Sequence, residues 1–301
     1  MSHPDTTIKD AVFQWRGIPQ PGQLLPLGLQ HVVAAVVGVI TPAILVADTC
    51  GLSSADKTLM IQVSLILTAL ATLLQLFPIF HRIGSGLPVI MGISFAYIPT
   101  LQAIGGEFGL PTILGAEIVG GIVAIVFGVL VKWIRPLFPP LVTGTVIFTI
   151  GLSLYPTAVK YMAGGAGSEW FGSAKSWAVA LITLAVVVFL NHFTKGITKL
   201  ASILIGILAG YVIAYFLGIV DLSGVGSAAW VALPRPMPFD IQFVPAACVS
   251  LGIVYVVNAV QTIGDLSSTT MGGMDRMPTD KELSGGIVGQ GVMSILGAFF
   301  G

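Results

Sequence analysis

The chain has 301 residues, 55% of them hydrophobic and only 9% charged, with a mean hydropathy of +0.97. A soluble domain carries roughly 25% charged residues, so this chain cannot cover itself with a solvated surface and reads as an integral protein of the lipid bilayer. Its 13 Lys and Arg balance its 13 Asp and Glu, which argues against a nucleic-acid partner, and its 2 cysteines are too few for a disulfide framework and lack metal-ligand spacing.

The N-terminal segment 1–23 is polar and mixed in charge, unlike the short basic leader of a signal peptide. A spanning helix needs about 20 mostly apolar residues. The first falls at Leu24–Val46 and the second at Thr58–Phe80. The third, Gly84–Gly105, is apolar but carries Gly84, Gly86, Pro88, Gly92 and Pro99. An internal proline loses a hydrogen bond and clashes with the preceding turn, so this span is expected to be discontinuous, extended near Val89–Phe95 and then briefly helical. Further spans are expected at Pro111–Val131, Leu137–Leu154, Ser176–His192, Leu200–Val220, Phe243–Ile263 and Gly285–Gly301, about nine in all.

Loop charges support this layout. Alternating sides, one side collects Lys9, Arg16, Arg82, Lys132, Arg135, Lys195, Lys199, Arg276 and Lys281, and the other only Lys57, Lys160, Lys175 and Arg235. The positive-inside rule then predicts a cytoplasmic N-terminus. The last apolar stretch runs into Gly301 with no flanking charge or cap, so the sequence is expected to be cut off in mid-helix, with more spans beyond it.

Polar groups at membrane depth are costly, about 2.5–3.5 kcal/mol for an Asp or Lys on insertion scales. The stretch VYVVNAVQTIGDLSSTT (254–270) nonetheless spaces Asn258, Gln261 and Asp265 three and four apart, on one helical face. Gln261 offers acceptor and donor groups that complement an amide or ureide edge. Asp265, a carboxyl at membrane depth, can exchange a proton near neutrality. The alternative is an interhelical hydrogen-bond pair that only stabilises packing. Ser267, Ser268, Thr269 and Thr270 read as carrying the helix out to water.

Unwound backbone is tolerated in a bilayer only where it is buried or lines a cavity, and in transporters it points at the binding site. In the broken third span Ser94 adds a hydroxyl, and Phe95 and Tyr97, two apart on an extended piece, would face one way so that one could stack on a ring. His31, beside Gln30 in the first span, reads as a satisfied core group or as an orienting hydrogen bond to a neighbour such as Asp265. Glu117, near the end of the fourth span, reads as structural, reaching the interface. The chain contains no HExxH, CxxC or P-loop, and GDLSST lacks the strand–turn–helix pattern of a nucleophile elbow. Neither an enzyme nor a cofactor or metal site is expected.

Three stretches, LGLQHVVAAVVGVITPAIL (28–46), GSGLPVIMGISFAYIP (84–99) and AVQTIGDLSSTTMGGMDR (259–276), resemble the nucleobase–ascorbate, or uracil–xanthine, permeases. The resemblance implies an all-α polytopic membrane protein, here the first nine or so of fourteen spans in two inverted seven-span repeats. Residues 24–131 and 236–301 would belong to a core domain and 132–235 to a gate domain. Alternating access would come from core moving against gate, usually in a homodimer of a bacterial inner membrane. Substrates would be xanthine, uric acid or uracil, taken up with protons, and the oxopurines are favoured because GSGLPVIMGISFAY and QTIGD look closer to the purine branch. Position by position, His31 matches the family's first-span histidine, Ser94 and Phe95 its third-span strand, and Asp265 a polar or acidic position. Gln261 stands where many members have a substrate-binding glutamate, and it is not ionisable. The chain also stops before the family's tenth-span Q/E-N-x-G signature, whose strand would complete the site opposite Phe95. Two alternatives stand beside this reading. One is an anion exchanger of the related sulfate/bicarbonate type, which would need a cationic site that the third span lacks. The other is a non-transporting membrane fragment.

Overall fold

The computed structural model describes residues 21–80, 82–165, 168–195, 197–200, 202–220 and 234–301. Most of the N-terminal segment 1–23, with Lys9 and Arg16, lies outside these residues, as do 221–233. Among the described residues the chain is helical: α1 (Pro21–Thr49), α2 (Ser54–Leu76), α3 (Ile98–Phe108), α4 (Leu110–Ile134), α5 (Pro140–Ser153), α6 (Tyr155–Met162), α7 (Ala174–Phe193), α8 (Ile197–Leu200), α9 (Ser202–Phe216), α10 (Pro245–Met274) and α11 (Asp280–Phe300). Among the described residues six helical stretches are long and apolar enough to cross a membrane: Ser54–Leu76, Leu110–Leu137, Leu141–Met162, Ala174–Phe193, Pro245–Met274 and Asp280–Phe300. Shorter apolar helices occupy Gly38–Thr49 and Ser202–Phe216. The chain is thus a polytopic α-helical membrane protein.

The helices gather into two compact units, Met1–Val37 with Leu154–Val231, and Gly38–Ser153 with Ala232–Gly301. In the first, α7 packs along α9. Gly206 and Gly210, four apart on α9, make this possible, since a Cβ at either would overlap Val187 or the Thr183 hydroxyl of α7. Small residues at this spacing let helix backbones approach in lipid, where no hydrophobic effect drives helices together. Leu181, Leu184, Val188, Leu208 and Val212 stay exposed, as apolar side chains facing lipid would.

The second unit is built around α4, against which both α10 and α11 pack. The α4–α11 contact depends on paired glycines. A Cβ on Gly121 would come 2.8 Å from the Gly291 carbonyl oxygen, and one on Gly291 would come 2.6 Å from the Gly121 carbonyl oxygen. Thr279 and Glu282 form a capping box at the start of α11. The same end is held by ion pairs of Arg135 with Asp280 (2.9 Å) and Arg276 with Glu282 (2.6 Å).

The third span is broken. Helix α2 ends at Leu76, residues 84–94 form no helix, a 3-10 turn covers Phe95–Tyr97, and α3 follows. Gly84 and Gly86 adopt positive φ (104° and 72°) where the chain turns back into the bilayer, a conformation glycine takes without steric cost. The extended piece stops one residue earlier than expected. Ser94 caps the turn by accepting a hydrogen bond from the Ala96 amide. With three residues per turn, Phe95 and Tyr97 cannot face one way as they would on a strand. The span predicted at Phe243–Ile263 also runs further, to Met274. Of the hydroxyls at its end, Ser268 is exposed, Ser268 and Thr269 donate back to the Asp265 carbonyl, and Thr270, fully buried, donates to that of Leu266.

The glycine pair makes a stability prediction. Gly121→Leu places a branched side chain into backbone, and overpacking of this kind costs about 1–3 kcal/mol or more. We expect lowered thermal stability of the detergent-purified protein by fluorescence-detected size exclusion, while Gly144→Leu, where a Cβ meets open space, changes little. Equal melting of the two variants would refute this packing.

Candidate functional site

The site begins with the problem of anchoring unwound backbone. Gln75, near the end of α2, is 1% exposed. Its side-chain oxygen accepts from the Ser85 amide (2.7 Å), its nitrogen donates to the Gly286 carbonyl (3.0 Å), and its own carbonyl accepts from the Gly86 amide (2.7 Å). The Gly84 amide donates to the Gly285 carbonyl (2.8 Å), and further on the Met91 amide donates to the Thr72 hydroxyl (3.2 Å). Side chains of α2 and carbonyls of α11 thus supply the partners that water cannot.

The anchored segment delivers Ser94 to α10. Its hydroxyl donates to Gln261 Oε1 at 3.0 Å, and the Gln261 side chain is also hydrogen-bonded to the Asp265 carboxylate. Ser94, Gln261 and Asp265 therefore form one chain of polar groups, with Asp265 at its exposed end. One turn earlier on α10, Asn258 is buried and donates to Gln290 Oε1 of α11 (3.5 Å), which also accepts from the Thr262 hydroxyl (2.8 Å). Gln290 Nε2 approaches the Met91 sulfur at 3.7 Å, tying α11 to the unwound segment.

A cavity of about 210 Å³ opens beside this network. Its polar lining includes Ser94, Tyr97, Glu117, Tyr255, Asn258 and Gln290. Tyr97 packs on Tyr255 with ring centroids 4.7 Å apart and planes at 49°.

Of the residues singled out from sequence, Ser94, Gln261 and Asp265 come together, while Tyr97 and Asn258 face the cavity. Phe95 is partly buried and does not line that cavity. His31 lies on the part of α1 that belongs to the other compact unit, and is exposed there. Sequence reasoning passed over Gln75, Gln290 and Tyr255. The signal for the two amides was present, because an amide in an otherwise apolar span is costly wherever it occurs. Glu117, expected at the interface, lines the cavity instead.

Comparison with known proteins agrees with this architecture. The family model described as "Permease family" (Xan_ur_permease) matches residues 22–301, and the chain belongs to that family. It is 37% identical over 286 residues to the xanthine permease of Bacillus subtilis (strain 168), covering 93% of this chain and 64% of the relative. It is 36% identical over 290 residues to the uric acid permease PucK of the same organism, covering 92% and 64%. With the uric acid transporter UacT of Escherichia coli (strain K12) the identity is 33% over 250 residues, covering 82% and 52%. The chain spans between 52% and 64% of the length of these relatives. They are named as permeases and transporters, not as enzymes, and so fit the non-enzymatic, xanthine/urate-branch reading of the sequence.

Gln75→Leu removes the side-chain partner of the Ser85 amide and that of the Gly286 carbonyl together, and an orphaned buried polar group costs about 1–3 kcal/mol. We expect a lower melting temperature and faster proteolysis between Gly84 and Ser94. Gln75→Glu, which keeps the acceptor for Ser85, should recover part of the protection. Unchanged proteolysis in Gln75→Leu would show that the segment is held elsewhere.

Proposed function

We propose that this protein is a secondary active transporter that imports an oxopurine, xanthine or uric acid ahead of uracil, by proton symport. The observation that carries the reading is the hydrogen bond from Ser94 on the broken span to Gln261 on α10. An amide oxygen has two lone pairs and the amide nitrogen two N–H groups. With one lone pair given to Ser94 and one N–H to Asp265, Gln261 keeps one acceptor and one donor position. That pair matches the adjacent N–H and C=O of a lactam or ureide ring edge. Of this polar chain only Ser94 is among the residues lining the adjoining cavity, whose volume of about 210 Å³ is below the roughly 300–1,000 Å³ of sites for drug-sized molecules and suits a single planar base.

Asp265 is the candidate coupling group, since Gln261 cannot ionise. His31 enters this proposal only as the position matching the family's first-span histidine. Alternating access between a core and a gate domain, inverted repeats, a homodimer and a cytoplasmic N-terminus in a bacterial inner membrane complete the proposal. The anion-exchanger reading is disfavoured, because among the described residues no Lys, Arg or His lines the cavity.

The test is uptake of labelled xanthine, urate and uracil by cells expressing the complete reading frame. We expect saturable oxopurine uptake that an uncoupler abolishes. Uptake of none of the three bases above control cells would refute the reading. Gln261→Ala and Ser94→Ala should each raise KM by about three- to tenfold, for a neutral hydrogen bond worth roughly 0.5–1.5 kcal/mol. Asp265→Asn should leave binding but remove the dependence of accumulation on the proton gradient. Persistence of that dependence would show that Asp265 is not the coupling group.

A further inference from the structure

Among the described residues Glu117 is the one charged side chain lining the cavity, and the site chain of Ser94, Gln261 and Asp265 makes no use of it. It stands seven residues into α4, about 10 Å along the helix axis from Leu110, well inside a candidate span. Tyr97 of the third span and Tyr255 of α10 both interact electrostatically with it. Gly120, three residues on and on the same face of α4, leaves the space that the Tyr255 ring fills. A Cβ there would fall within the ring. Tyr255 is in turn hydrogen-bonded to Ser294 of α11.

The polar and titratable groups that share the cavity with Glu117 can be taken element by element. The third span contributes Tyr97 and Ser94, α10 contributes Tyr255 and Asn258, and α11 contributes Gln290 and Ser294. From α2 come Ser64 and Thr68, and from α1 only Pro42, Ala43 and Val46. Apart from the two tyrosines none of these is titratable, and among the described residues no Lys, Arg or His lines the cavity. A carboxyl at membrane depth either meets a cation or carries a proton, and this lining offers no cation. Sequence spacing could not reveal this, because the tyrosines come from positions 97 and 255.

We propose that Glu117 is a proton-binding site in the cavity behind the broken span, and that its protonation state positions Tyr97 and through it the turn that carries Ser94. This rests on the reading of the protein as a proton-coupled permease and adds a second carboxyl to it. Glu117 is a positioning residue: ionised, it draws the tyrosine hydroxyls as donors, and protonated, it can donate in turn. Because Tyr97 begins the turn into α3 three residues after Ser94, a change in how its hydroxyl is held acts on the same turn that Ser94 caps.

Two measurements test it in the full-length membrane protein. The first uses dicyclohexylcarbodiimide, an apolar reagent that captures protonated carboxyls. The acid adds across one C=N bond, and an O-to-N acyl shift fixes an N-acylurea with the whole reagent retained and nothing expelled. Mass spectrometry should find the adduct on Glu117, falling about tenfold per pH unit on the alkaline side of the titration and absent in Glu117→Gln. No adduct on Glu117, or one independent of pH, overturns the proposal. This readout does not require transport, so it stands even if no nucleobase is carried. The second is the pH profile of uptake. Glu117→Gln, nearly isosteric with the protonated acid, should flatten the profile while leaving uptake measurable, and Glu117→Asp should restore a displaced profile. A Glu117→Gln profile superimposable on wild type, or uptake that follows sodium instead of pH in wild type and not in the variant, overturns it.

Discussion

A peptide group at membrane depth must find a partner within the protein, because the bilayer interior supplies no water. Most of this chain meets that demand with helices. Between α2 and α3 it does not, and the second compact unit is arranged around the consequence. Gln75 is placed so that its side chain and backbone together serve the amides of Ser85 and Gly86 and the carbonyl of Gly286. A single buried amide thereby joins a helix end, an unwound segment and the first turns of α11. Without those partners the segment would be driven toward helix, and Ser94 would not be presented to α10.

The glycines follow from the same constraint. For the Gly84 amide to reach the Gly285 carbonyl, α11 must approach the unwound chain backbone to backbone. A Cβ on Gly285 would collide with the Gly84 carbonyl, and one on Gly289 would crowd the Gly84 amide at 3.2 Å. One face of α11 is thus reserved for the unwound segment, while Gly291 presses against Gly121 of α4. Gln290 lies between them, receiving Thr262 and Asn258 from α10 and reaching Met91. Helix α11 therefore contacts every element that holds the polar site, and its glycine content reflects close approach more than turn formation.

The sequence disclosed features with a one-dimensional signature. Apolar runs of spanning length located the helices, and Gly84, Gly86, Pro88, Gly92 and Pro99 located the break. Asn258, Gln261 and Asp265 declared themselves by helical spacing within one segment. What stayed hidden depends on partners distant in sequence: Gln75 with Ser85 and Gly286, Gln290 with Asn258 and Met91, and Glu117 with Tyr97 and Tyr255. Each is a lone polar residue in an apolar run, for which core packing and function look alike until the neighbour is known. The error at Phe95 and Tyr97 was of a different kind. It came from extending the strand through Ser94, a residue whose side chain favours a cap, so the period changed from two to three where the site begins.

The neutrality of Gln261 has a consequence for coupling. Where a carboxylate at this position could only accept hydrogen bonds, an amide both donates and accepts, and its two ends exchange by a half-turn about its terminal bond. In the observed arrangement the oxygen faces Ser94 and the side chain also bonds the Asp265 carboxylate, which fixes the nitrogen toward Asp265 because an ionised carboxylate has nothing to donate. A proton on Asp265 removes that restriction, since the neutral acid can donate to the amide oxygen and the amide can turn. On the proposed reading the edge offered to a bound ring would then reverse, and Ser94, whose hydroxyl serves as donor or acceptor, would follow. Proton occupancy at the exposed end of the chain would in this way be converted into a change of donor and acceptor order at the broken span. On the reading proposed above, a neutral amide and hydroxyl would supply the binding edge, and Asp265, one turn further along α10, would be the carboxyl that titrates.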